Sequence, residues 1–286
     1  MFEKARAIWI KNKRNTKNLQ VGFRCDFEVV ENKKYILRIT GATLYRIFLN
    51  GKFVGYGPAR AGHGYLRVDE IPLEVSKGIN KLAIEVAGYN CSSFYTLPIK
   101  SFLCAEVLED GVSIKYTSKD FKALSLEKIR SMYSYRYSHQ RAYGEVWNFD
   151  NSDIYTKWNV SDELEYENII DFSIEDELIP RELPFPVYNI VSATQIVEMG
   201  NITHKNFDIR NIRYVSGVSN HEDGYLPDEI TDKTISELYG DFNVLSKELN
   251  MAKKSHIGKD EYVIYKLPFN NTGFLINNIL QPPNGK

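Results

Sequence analysis

Strict alternation of apolar and polar side chains from Val21 to Val29 constrains this chain more than any other feature. Val21, Phe23, Cys25, Phe27 and Val29 fall on one side, and Gly22, Arg24, Asp26 and Glu28 on the other. A period of two belongs to an extended strand with one buried face. Similar runs follow at Tyr35 to Thr40, Leu44 to Leu49, Lys52 to Val54, Lys81 to Val86, Ser101 to Leu108 and Val112 to Tyr116. Asn50-Gly51 separates two of them, and a two-residue Asn-Gly link predicts a type I′ hairpin because both residues tolerate positive φ. Lys77-Gly78-Ile79-Asn80 and Glu109-Asp110-Gly111 punctuate the others. Many short strands with regular turns predict a jelly-roll-like sandwich rather than βαβ units.

The second half reads less regularly. Lys119 to Ile179 is polar and carries an aromatic and basic cluster from Tyr133 to Arg141, followed by Glu145-Val146-Trp147. Pro180, Pro184 and Pro186 fall within eight residues, which forbids helix and discourages a central strand, so a linker is expected there. Beyond it, Val187 to Met199, Tyr262 to Leu267 and Gly273 to Leu280 read as strands. Ile235, Leu238, Tyr239, Phe242, Leu245 and Leu249 fall at helical spacing, with Thr234 and Glu237 placed as a capping box, so one helical segment is predicted near 235–249. The expected architecture is all-β: a jelly-roll-like sandwich over residues 1–180, then a second, incomplete sandwich over 181–286 with that helical insertion.

Several function classes are disfavoured. The 36 Lys and Arg balance 37 Asp and Glu, for a formal charge of -1 in 286 residues. No basic surplus is available for nucleic acid or anionic membranes, so neither is expected as a partner. No apolar run approaches the length of a membrane span. The N-terminus lacks the apolar core of a signal peptide, so a cytoplasmic location is expected if Met1 is the natural start. Cys25, Cys91 and Cys104 are odd in number and have no C-x-x-C spacing, which argues against a disulfide framework or zinc site. Gly57 to Gly64 has the glycine spacing of a phosphate-binding loop without its Lys-Ser/Thr ending, and Gly217 to His221 misses the last glycine of a nucleophile elbow. The five histidines, His63, His139, His204, His221 and His256, are scattered. No catalytic residue, metal or cofactor is expected in the chain.

The unusual component is the aromatics, with 19 Tyr, 15 Phe and 3 Trp. They suit a pleated surface, and a ring face with a nearby hydroxyl also suits a sugar. The candidate binding surface is the Gly55 to Gly64 loop, whose bulky members are Tyr56, Arg60 and His63. Tyr65, Arg67 and Asp69 follow at alternate positions on one strand face. The structural alternative is that Arg67 and Asp69 pair with Arg136, Arg141 or Glu145.

The run from Tyr45 to Tyr95 carries a family resemblance. Tyr45 to Gly55, centred on Leu49-Asn50-Gly51-Lys52, resembles a hairpin in the N-terminal sandwich of bacterial α-L-rhamnosidases. Gly57-Pro58-Ala59-Arg60, His63 to Glu70, Val75 to Glu85, Val86 to Asn90, and Ser93 to Tyr95 resemble the stretches that follow it. Ser101 to Val107, Arg136 to Arg141, and Tyr262 to Leu267 with Asn271 to Leu275 are similar to later segments. The Asn-Gly hairpin with its G-x-N turn also resembles the sugar-binding domain of β-galactosidases and β-glucuronidases.

The resemblance implies an accessory part of a glycoside hydrolase whose acid and base lie on an (α/α)₆ barrel downstream, with a rhamnose-containing glycan or glycoside as ligand. The implied parent enzyme hydrolyses terminal α-L-rhamnosides by an inverting mechanism, and this portion would be inactive alone. A stand-alone carbohydrate-binding module and a purely structural scaffold are the alternatives.

Overall fold

The alternating run becomes the centre of an eleven-residue strand, Leu19–Val29, in the computed structural model of the chain. The structure describes residues 1–31, 33–94, 96–133, 142–147, 157–186, 189, 191–203, 240–249 and 257–269. They belong to two compact units, one built on Met1–Pro184 and one beginning at Phe185. Residues 181–184 therefore go with the first unit, four residues past the expected boundary.

Twelve strands make up the first unit among the described residues: β1 (Ala7–Ile10), β2 (Leu19–Val29), β3 (Tyr35–Ala42), β4 (Leu44–Leu49), β5 (Lys52–Gly57), β6 (Tyr65–Pro72), β7 (Gly78–Gly88), β8 (Phe102–Glu109), β9 (Val112–Tyr116), β10 (Lys122–Ser125), β11 (Ile169–Phe172) and β12 (Glu177–Pro180). One sheet runs β11-β1-β8-β3-β6-β12, with β9 also on β8, and the other runs β10-β2-β7-β4-β5. The chain crosses repeatedly between the sheets, as a jelly roll requires, while β4–β5 and β8–β9 are hairpins within one sheet. The inward residues Phe23, Phe27, Leu82, Ile84, Tyr45 and Ile47 of the second sheet pack against Trp9, Tyr35, Leu37, Ile39, Leu103 and Val107 of the first. Each such buried apolar side chain contributes about 1.5–3 kcal/mol relative to exposure.

The predicted turns form for the predicted reasons. Asn50 and Gly51 take φ of 51° and 79°, and Asp110 and Gly111 take 47° and 86°. The Asn50 Oδ1 accepts from Lys81 N–H at 2.8 Å, and its Nδ2 donates to Asn80 Oδ1 at 3.0 Å. Asn80 also accepts from Ser76 N–H and donates to Ser76 C=O. The two turn motifs are thus one hydrogen-bonded unit.

The second face of β2 departs from expectation. Leu19 to Cys25 are buried on both sides. Trp158 lies over Gly22, where an added Cβ would meet its ring at 2.7 Å. Arg24 donates to the carbonyls of Trp158 and Ser161, both at 2.9 Å. The polar side of this alternation is therefore covered by 157–166 instead of solvent. The irregular middle stretch also supplies β10, β11 and β12, none of which shows a sequence period long enough to recognise. β12 pairs parallel to β6, with Pro180 opposite Val68. It is the outermost strand in its sheet, which is where a proline fits.

The second unit contains β13 (Gln195–Thr203), β14 (Asp241–Leu249) and β15 (Glu261–Lys266) in the order β14-β13-β15. The predicted helix near 235–249 is corrected here: Asp241–Leu249 is strand, paired antiparallel to β13. Gly240 sits at φ of 122°, incompatible with a helix running through it. Phe242, opposite Ile202, and Tyr262, opposite Gly200, then meet edge-to-face at 4.9 Å across β13, a contact that local helical spacing cannot encode. Residues 235–239 and the predicted strand at Gly273 to Leu280 lie outside the described residues. The architecture is all-β, and its helical structure among the described residues is one turn, Thr117–Asp120. No helix among them is long and apolar enough to cross a membrane.

Candidate functional site

The six candidate residues divide among three environments. Arg60 and His63 are exposed on the loop after β5, and Tyr65 is exposed at the start of β6. Arg67 is half-buried and donates from Nη1 to the Pro180 carbonyl at 2.8 Å, with Glu182 at 3.6 Å. Asp69 is fully buried. Its carboxylate accepts from the Tyr45 hydroxyl and lies 3.2 Å from Arg181 Nη1 through both oxygens. Arg181 in turn donates to the carbonyls of Leu183 and Pro184.

Burial pushes the Asp69 carboxyl above its ordinary pKa, while Tyr45, Arg181 and the Ala59 backbone pull it back. Asp69 thus offers no surface to a ligand. It ties the start of the loop, the inner face of β4 and the segment after β12 together. Gly57 is required at this junction, because an added Cβ would collide with the Asp69 carboxylate and the Tyr45 hydroxyl. Of the expected partners, Glu145 is the one among the described residues, and it lies elsewhere. Asp69 pairs with Arg181, Arg67 lies near Glu182, and Glu145 pairs with Arg130. Arg136 and Arg141 lie outside the described residues.

Tyr56 faces elsewhere. It pairs with Arg46, which pairs with Glu85, which pairs with Gly22, so the four share one row on the outer face of the second sheet. Glu85 is 5% exposed and is held from two sides. Arg46 Nη2 lies 2.8 Å from both of its oxygens, and Arg130 Nη1 lies 2.7 Å from Oε1. Arg130 Nη2 continues to Glu145 at 3.0 Å, and its guanidinium sits 4.3 Å from the centre of the Trp147 ring. Trp147 Nε1 donates to the other Glu145 oxygen at 3.2 Å.

A bridge between Arg130 and Trp147, with Ser131 N–H donating to Val146 C=O, fixes this arrangement. Burial opposes the charge on Arg46, but Glu85, with Glu145 and Tyr89 further off, holds its guanidinium above the ordinary pKa. Tyr89 also stands 6.5 Å from Tyr143, ring to ring. The outcome is a row of two cations and two anions, buried at Glu85 and opening to solvent at Glu145 and Trp147.

Sequence reasoning reached Glu145 and Trp147 only as neighbours of an aromatic cluster, and it missed Arg46, Glu85 and Arg130. The signal was the charge in mid-strand: Arg46 and Glu85 interrupt apolar runs, and they become cross-strand partners once β4 is set against β7. Among the described residues, no grouping of three or more His, Cys, Asp or Glu side chains can hold a metal ion.

No protein-family model matches the chain, and no curated protein matches it. Among solved structures, it is similar to the GH78 family rhamnosidase of Bacillus sp. GL1, with 24% identity and a TM-score of 0.64 over 72% of this chain. It is also similar to the α-L-rhamnosidase from Dictyoglumus thermophilum, at 15% identity and a TM-score of 0.47 over 70% of this chain. A lectin from Pleurotus ostreatus, solved with GalNAc, matches 69% of the chain and 57% of its own at 16% identity and a TM-score of 0.35. The chain spans 23% and 24% of the lengths of these two rhamnosidases.

Proposed function

We propose that this chain is the accessory, non-catalytic β-sandwich portion of an α-L-rhamnosidase-like glycoside hydrolase. The observation that carries the proposal is the fold shared with about a quarter of the Bacillus sp. GL1 rhamnosidase. The state of the buried carboxylates supports it. Asp69 is tied to Arg181 and Tyr45, and Glu85 to Arg46 and Arg130. Glu106 is tied to Arg38, Ser113 and the backbone of Glu3 and Lys4. A glycosidase needs one carboxyl free to donate a proton and a second to activate water, roughly 6.5–9.5 Å away for inversion. Carboxylates this buried and already committed to partners within the sandwich leave no room for a glycosidic bond, so the acid and base are assigned to a separate catalytic domain of the same polypeptide. A rhamnose-containing glycan is then the substrate of that whole, and the sandwich braces it.

Nitrophenol release from nitrophenyl α-L-rhamnoside tests the inactive-alone part of this reading. The isolated chain is expected to match the blank. Turnover that disappears on Asp69→Asn or Glu145→Gln substitution would overturn the assignment and place the chemistry in this chain.

A further inference from the structure

We propose that the solvent-facing end of the Arg46–Glu85–Arg130–Glu145–Trp147 row is a binding subsite for one uncharged sugar ring. This goes beyond the accessory role, which needs no ligand on the sandwich itself. Two guanidinium groups face two carboxylates within 3.0 Å along the row, so the row, among the described residues, carries no net charge with which to select an ionic ligand. What it presents is a set of fixed donors and acceptors, which matches the mixed donor and acceptor character of sugar hydroxyls.

Position supports the same ligand. Arg130 is 4% exposed in its side chain, whereas Glu145 is 45% exposed and Trp147 is 40% exposed. The buried part therefore acts as a rigid floor, and the indole and carboxylate form the rim. Glu145 holds the indole through Nε1, and the Arg130 guanidinium lies against the ring, so the orientation of Trp147 is set before any ligand arrives. A pre-oriented ring beside a half-exposed carboxylate offers C–H stacking and hydroxyl acceptance in one place. Tyr56 extends the polar row beyond Arg46 onto β5. Loss of ordering entropy on binding is small because the residues are already locked to one another.

Tryptophan fluorescence gives a direct readout. Trp9 is 0% and Trp158 5% exposed, which leaves Trp147 as the indole that acrylamide reaches from solvent. The probes are L-rhamnose, methyl α-L-rhamnopyranoside, D-galactose and N-acetyl-D-galactosamine, with D-glucuronate as the charged comparison. At least one neutral sugar is expected to protect Trp147 from acrylamide in a saturable way, with D-glucuronate about tenfold weaker. Glu145→Gln keeps the shape of the rim and is expected to weaken that sugar about tenfold, equivalent to about 1.4 kcal/mol. Trp147→Ala, read by saturation-transfer NMR, is expected to abolish binding.

Unfolding midpoints in urea identify any variant whose loss is only loss of fold, and Glu145→Gln decides the matter if Trp147→Ala unfolds. No protection by any neutral sugar up to about 100 mM, or binding that neither substitution changes, would overturn the subsite. Neither result bears on the accessory role, which is read from catalysis.

Discussion

Arg181→Ala should destabilise the first unit by about 3 kcal/mol at neutral pH, and the loss should shrink in acid. Arg181 lies 3.2 Å from both oxygens of Asp69, whose side chain is 0% exposed. Removing one partner of a buried ion pair costs about 3–5 kcal/mol, because the remaining charge loses its compensation. The lower end applies, since the Tyr45 hydroxyl and Ala59 N–H still solvate the carboxylate.

The pH dependence follows from the raised pKa of Asp69. Burial favours the neutral carboxyl, so this group contributes stability in acid that is lost as pH rises through its folded pKa. Arg181 is one of the groups that pulls that pKa down, so its removal raises it further and widens the pH range over which the variant gains from protonation. Urea unfolding at about pH 7.5 and about pH 5, followed by the buried Trp9 and Trp158, measures both effects. Asp69→Asn in the Arg181→Ala background should recover at least half of the loss, because an amide needs no cation. A loss below about 1 kcal/mol, or one equal at the two pH values, would refute the reasoning.

Gly57→Ala should cost about 1–3 kcal/mol, seen as a lower thermal midpoint, because the added methyl meets the Asp69 carboxylate and the Tyr45 ring, whose Cζ lies 2.7 Å away. An unchanged midpoint would mean that the junction is loose. Burial pushes the Cys25 thiol up to about 12 and also raises Cys104, so neither should react with a disulfide reagent near pH 8 until urea unfolds the chain. Labelling of either residue in the native protein would contradict the burial. In the second unit, β14 is an outer strand of its sheet among the described residues, and Leu245 on it is 58% exposed. Leu245→Lys should reduce concentration-dependent association in light scattering, and no change would show that this edge does not template self-pairing.

What the sequence made legible was whatever depends on neighbours in the chain. The alternation at Val21 to Val29 and the positive-φ pairs Asn50-Gly51 and Asp110-Gly111 encode strands and hairpins locally, and they appear where expected. The edge strand at Glu177–Pro180 was hidden because its partner, β6, lies more than a hundred residues earlier. The prolines there read as a linker, yet the segment is docked by Arg181 on Asp69.

The strand at Asp241–Leu249 was misread for a related reason: its apolar residues also fit a helical stripe, and only pairing with β13 decides between the two. At the candidate site, Tyr65, Arg67 and Asp69 do alternate along one strand, but alternation cannot reveal that another segment closes over Asp69. Likewise Arg46 and Glu85 are 39 residues apart, and their opposition exists only through the β4–β7 register.

The accessory role turns on where the chemistry resides. The decisive measurement is hydrolysis of nitrophenyl α-L-rhamnoside by the chain alone and by the polypeptide extended along its reading frame past Lys286. Blank-level release is expected from the first and turnover from the second, with the activity lost when acidic residues of the added part are replaced. Turnover by the 286-residue chain, or an extended polypeptide that cleaves no rhamnoside, would contradict that role.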